Sequence, residues 1–192
     1  MVFYRSLGLC WLIDLSTSEE NAMVVIKTAF GDMKAELYGK KAPITVKNFL
    51  RYVDEGLFDG TTFFRVVTME NQSNSPVKIE VVQGGTKFKN RAYPSTYPPI
   101  EHETTEMTGI KHLDGTLSMA RMKPGTATSS FFICIGEQPE LDYGGKRNKD
   151  GQGFASFGRV TEGMDVVREI HRQPADGQMF TPPIKIESIR RI

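Results

Sequence analysis

Gly60-Thr61-Thr62-Phe63-Phe64-Arg65-Val66-Val67 is the stretch on which the fold turns. Aromatic and β-branched residues dominate it, a composition that fits a half-buried pleated strand better than a helix. Strict alternation puts Phe63, Arg65 and Val67 on one face. A single arginine in so apolar a strand has two readings. It is a solvated charge on an outer surface, or a charge set into a groove.

Outward from this stretch the pattern repeats. Strands are predicted at 23–28, 34–38, 79–83, 116–120, 131–135, 154–160 and 184–192. Phe30-Gly31-Asp32-Met33 is expected to turn the chain between the first two. Pro43 opens a helix whose apolar face is Ile44, Val46, Phe49, Leu50 and Val53, and Gly56 ends it. A shorter helix fits 164–171, between Gly163 and Pro174. Many short strands with two helices predict a barrel or sandwich rather than a βαβ fold. The connecting stretches 71–76, 90–99 and 144–153 are polar and rich in proline or glycine.

The whole chain bounds the function. Its 192 residues suit one domain, and 39% hydrophobic with 24% charged residues is near the globular average. A formal net charge of +1 gives no reason to expect nucleic acid as a partner. Cys10 and Cys134 are too few for a disulfide framework or a cysteine zinc site, and the apolar run around Cys134 predicts a buried, inert thiol. No stretch is long and apolar enough for a spanning helix. Residues 1–22 form an N-terminal extension or signal remnant, with periplasmic and cytoplasmic readings both open, and 23–192 form the domain.

Metal and nucleophile chemistry find little support. His102-Glu103-Thr104-Thr105-Glu106 ends in glutamate where a zinc signature needs histidine, and Pro98-Pro99 and Gly109 leave no long helix. Gly145-Lys146 lacks the rest of a phosphate loop, and Ser129-Ser130 has no glycine elbow. His102, His112 and His171 are the only histidines, and His171 is expected to end the second helix.

Several segments together resemble the cyclophilin family, over about residues 24–192. Phe63-Phe64-Arg65-Val66-Val67, Val82-Gln83-Gly84-Gly85, Gly115-Thr116-Leu117-Ser118-Met119-Ala120, Ser130-Phe131-Phe132-Ile133 and Phe157-Gly158-Arg159-Val160 stand in family order. So do Ala42-Pro43-Ile44-Thr45-Val46 and Glu162-Gly163-Met164-Asp165. Glu137-Gln138-Pro139-Glu140-Leu141-Asp142 is similar to bacterial members. The resemblance implies a closed eight-stranded antiparallel β-barrel capped by two α-helices, with a peptide groove outside. It implies peptidyl-prolyl cis–trans isomerase activity without a cofactor, on proline-containing segments of unfolded or flexible proteins, by a chain for which a monomer suffices. A proline-peptide scaffold with weak turnover is the alternative.

The same resemblance implies the site. Arg65 and Gln83 carry catalysis, Phe132 floors the proline pocket, Met119 and Leu141 are candidate walls, and the Arg121 backbone grips substrate. Arg65 and Gln83 lie 18 positions apart, more than the family spacing, so a surface excursion is expected over 69–78. Glu80 then falls where the family has an aromatic, unless Met69 replaces it. Glu140 stands where an aromatic, often tryptophan, is usual, which implies only weak binding of cyclosporin.

Overall fold

The computed structural model describes residues 21–85 and 96–192. The candidate signal remnant through residue 20, Cys10 and residues 90–95 lie outside the described residues. The described strands are β1 (Ala22–Thr28), β2 (Gly31–Leu37), β3 (Thr62–Val67), β4 (Val81–Gly85), β5 (Thr116–Met119), β6 (Phe131–Cys134), β7 (Ala155–Glu162), β8 (Ala175–Asp176) and β9 (Met179–Arg191). Helices α1 (Pro43–Asp54) and α3 (Met164–His171) match the two expected, and α2 (Thr105–Thr108) adds a single turn.

Every strand pairing is antiparallel, in the order β1-β2-β7-β5-β6-β4-β3-β9. β1 pairs with β9 as well, which closes eight of the described strands into a barrel. The two-residue β8 only folds back on the start of β9. The first hairpin turns two residues earlier than expected. Thr28 pairs with Gly31, so Ala29 and Phe30 form the tip and Gly31 to Met33 already belong to β2.

The barrel interior is aromatic. Phe49 of α1 enters it, with its ring centroid 5.1 Å from Phe58, 5.4 Å from Phe131 and 5.0 Å from Phe157. Val46, Leu50 and Val53 share the buried face, whereas Ile44, expected there, is exposed in the helix's first turn. Gly84 is required opposite Phe63, because a Cβ there would sit 2.6 Å from the ring. Cys134 is buried, and burial pushes its thiol well above the usual range.

Glu103, half of the rejected zinc signature, has a structural task. Ala42 offers no side-chain cap to α1. The buried Glu103 carboxylate instead accepts the Ile44 N–H at 3.1 Å, the Thr45 N–H at 2.8 Å and the Thr45 hydroxyl at 2.6 Å. A carboxylate at a helix N-terminus satisfies orphan donors and opposes the positive end of the dipole. Glu103→Ala is expected to lower unfolding free energy by about 2–3 kcal/mol, with Glu103→Gln recovering part. Urea denaturation measures it, and a loss below about 0.5 kcal/mol would show the cap to be unimportant.

Candidate active site

A bulge in β3 creates the site. Phe63 pairs with Gly84 but Arg65 pairs with Gln83, so Phe63 to Arg65 oppose only two residues of β4. The extra residue breaks the alternation read from the sequence. Phe63 and Val66 face the core, while Val67 joins a second apolar cluster outside the barrel with Ile79, Val81, Phe132, Cys134 and Leu141. Arg65 stands beside that cluster and not on the face of Phe63. Arg65 and the cluster members Ile79, Val81, Phe132 and Leu141 line a groove of about 370 Å³.

Arg65, Gln83, Phe132, Leu141 and Arg121 all line this groove. Met119 does not. It pairs with Phe131, and directly opposed residues share a sheet face, so Met119 points into the core with Leu117 and Phe131. Ser118, opposite Phe132, takes the outward place, and Ala120 packs against the outer cluster. Glu80 does not line the groove either. Its neighbours Ile79 and Val81 do, and Met69 is exposed, so Ile79 supplies apolar surface that Met69 does not.

The guanidinium of Arg65 is fixed from two sides. Nε and Nη2 donate to Gln178 Oε1 at 3.0 and 2.6 Å, and Nη1 donates to Gln83 Oε1 at 3.0 Å. The remaining Nη1 and Nη2 hydrogens are left for a bound molecule. Burial, and then the charge of Arg147, lower the affinity of Arg65 for its proton, although a guanidinium stays charged at neutral pH. Sequence reasoning missed Gln178, which lies 113 positions from Arg65 in the turn before β9. No local signal marks it.

The excursion is not merely surface. Gln72 is buried, donates to the carbonyls of Thr68 and Ile79 at 2.6 and 2.7 Å, and accepts the Ile79 N–H. The segment therefore folds around one amide that replaces the missing strand bonds. Asn71 ties it to Gly177, and Gln178 Nε2 donates to the Asn71 carbonyl at 3.1 Å. The excursion thus braces the residue that orients Arg65.

Arg121 uses its side chain away from the groove. Its guanidinium makes a two-pronged pair with Asp150, both bonds 2.8 Å, and donates to the Gly153 carbonyl. Those bonds hold Asp150 at about 2 and fasten the glycine-rich loop beside the groove. Glu140 is similarly occupied, accepting the Lys146 N–H at 2.7 Å.

Behind Phe132 lies a polar relay that the sequence did not reveal. The buried His112 ring stacks on Phe132 at 6.1 Å and 16°, with Nδ1 at 2.8 Å from Asp142 and Nε2 at 2.9 Å from Ser118 Oγ. Burial holds His112 below its usual range. A neutral ring donating from Nδ1 to Asp142 and accepting from Ser118 satisfies all three groups. His102 is lowered in the same direction by burial. Histidines kept neutral in the fold but free to charge when unfolded stabilise the protein above about pH 6.5, and that contribution is lost as pH falls below it. The urea midpoint is expected to drop between pH 7.5 and 5.5, with a shallower drop in His112→Gln. An equal drop in both would assign the effect elsewhere.

The described strands form a closed antiparallel barrel that carries outside it an apolar groove lined by Phe132, with an arginine held beside it. The family model for cyclophilin type peptidyl-prolyl cis-trans isomerases matches residues 23–191, and the chain belongs to that family. A peptidyl-prolyl cis-trans isomerase of Acinetobacter baylyi is 35% identical over 176 residues, 88% of this chain and 85% of that one. Peptidyl-prolyl cis-trans isomerase B of Escherichia coli is 36% identical over 149 residues, 77% of this chain and 83% of that one. A Cryptosporidium parvum cyclophilin type isomerase shares the fold with a TM-score of 0.73 at 24% identity, covering 90% of this chain and 98% of that one. Another crystal structure of the Cryptosporidium protein was determined in the presence of the dipeptide Ala-Pro. Among the described residues, no helix is long and apolar enough to cross a membrane.

Proposed function

We propose that this isomerase turns X–Pro bonds in the groove beside Arg65, with proline seated on Phe132 against Leu141 and Val81. The chemistry is rotation about an amide whose partial double-bond character imposes a barrier of about 20 kcal/mol. Rotation localises the proline nitrogen's lone pair, and a catalyst works by preferring that twisted state to either planar one. The free Nη1 and Nη2 hydrogens of Arg65 supply donors for the substrate carbonyl and that lone pair. Their orientation by Gln83 and Gln178 before substrate arrives makes the electrostatic stabilisation effective. A reduction of about 7 kcal/mol in the barrier corresponds to roughly a 10⁵-fold acceleration.

The observation that carries this reading is the doubly anchored arginine directly beside an apolar floor. Substrates are proline-containing segments of unfolded or flexible chains, which can enter an open groove, and one copy of the domain, residues 23–192, suffices. A protease-coupled isomerisation assay tests it. Acceleration of cis–trans exchange supports the assignment, and groove binding without acceleration would favour a scaffold.

Cyclosporin discriminates further. Glu140 offers neither an apolar surface nor a donor, and its carboxylate already accepts from the Lys146 backbone. Weak inhibition is expected, with Glu140→Trp raising drug affinity more than it alters turnover. Tight inhibition of the unmodified protein in the same assay would contradict the role given to Glu140.

A further inference from the structure

Besides Arg65 and the ion-paired Arg121, the groove holds a third cation that the isomerase chemistry does not use. Arg147, from the glycine-rich loop, lines the groove with Arg65 and Asn148. One edge of its guanidinium is saturated by the excursion, since Nη1 donates to Gln72 Oε1 at 2.9 Å, Ser75 Oγ at 2.8 Å and the Val77 carbonyl at 2.5 Å. Its Nε and Nη2 have no partner among the described residues. Nor does the buried Nδ2 of Asn148 beside it.

Carboxylates stand in the same region of chain, but each is engaged elsewhere. Glu140 accepts from Lys146 N, Asp142 from His112, and Asp150 from Arg121. Arg147 therefore carries a partly desolvated charge without a counter-ion among the described residues, close enough for its charge to be felt at Arg65. Like charges gathered in one groove are unfavourable until an anion joins them.

We propose that Arg147, with Asn148, is a specificity determinant that selects proline segments bearing an acidic side chain within two residues of the proline. This rests on the groove being the substrate site. A carboxylate supplies acceptors for the Nε and Nη2 edge, a planar two-pronged match that guanidinium makes well. The excursion acquires a purpose from the same geometry: Gln72, Ser75 and Val77 grip one edge of Arg147 and leave the other presented to the groove.

The test uses N-acetylated, C-amidated peptides built on Ala-Ala-Ala-Pro-Ala-Ala, with Glu, Ala or Lys at each of the two positions on either side of proline. Affinity is measured by chemical-shift titration, and isomerisation by exchange NMR. At one or more positions Glu is expected to bind about 5- to 10-fold tighter than Lys, as for a single partly desolvated ion pair. The preference should shrink as salt rises toward about 0.5 M, a measurement made on the unmodified protein. Arg147→Gln should bring the Glu-to-Lys ratio close to one, and Arg147→Lys should retain part of it. Equal affinity for Glu and Lys peptides at every position, or a preference indifferent to salt, overturns the proposal. Binding preference without exchange would instead remove the isomerase assignment of the groove and leave this one standing.

Discussion

Arg65→Ala is expected to lower kcat/KM by about 10²- to 10³-fold while the barrel stays folded, the loss typical of removing one preorganised transition-state donor. The side chain projects outside the barrel, bonded to Gln83 and Gln178. Its removal opens no cavity in the aromatic interior. Gln178 Oε1 loses its donors, but Gln178 Nε2 keeps its bond to Asn71. Circular dichroism and a urea midpoint close to that of the unmodified protein would establish folding. Arg65→Lys should recover little, because a lone ammonium cannot reach both glutamines and the substrate in one plane. Undiminished turnover by folded Arg65→Ala would remove the arginine from the mechanism.

Phe132→Ala is expected to damage binding, turnover and stability together. The ring is almost fully buried, packs edge-on against Phe154 at 5.3 Å and covers His112 on its other side. Truncation of so large a buried aromatic costs about 3–5 kcal/mol. It also uncovers His112, whose ring then meets water, and removes the surface on which proline packs. Substrate affinity is therefore expected to fall in the fraction that remains folded. Phe132→Leu separates the effects, since it restores most of the volume without the flat ring. Near-normal stability with poor turnover in the leucine variant would place the ring in the pocket. Normal kinetics in either variant would place the proline pocket elsewhere.

Much of the barrel was legible because short runs rich in aromatic and β-branched residues, bounded by turn residues, read as strands. The segments at 62–67, 116–119 and 131–134 could be bounded within a residue or so. Pro43 and Gly163 marked the starts of the two main helices for local reasons of backbone geometry. What failed did so where register intervened. Alternation assigned Phe63 and Arg65 to one face, but a bulge separates them. Met119 was assigned to the groove, although its pairing with Phe131 turns it inward.

From the sequence alone came the strand-rich class, the family resemblance, and the groove residues Arg65, Gln83, Phe132 and Leu141, all properties carried by short contiguous motifs. Tertiary structure decided which face each residue occupies and what holds it there. Gln178 orients Arg65 across 113 positions, Arg147 meets the excursion across 75 at Gln72, and Glu103 caps a helix 58 residues earlier at Thr45. Such contacts satisfy buried polar groups whose partners are chosen by closure of the barrel and not by spacing along the chain. In one dimension Glu103 belongs only to a rejected zinc signature, and Arg121 is singled out for its backbone alone. In three, one ends a helix and the side chain of the other ties down a loop, because each buried charge had to find the complementary groups that the fold brought within reach.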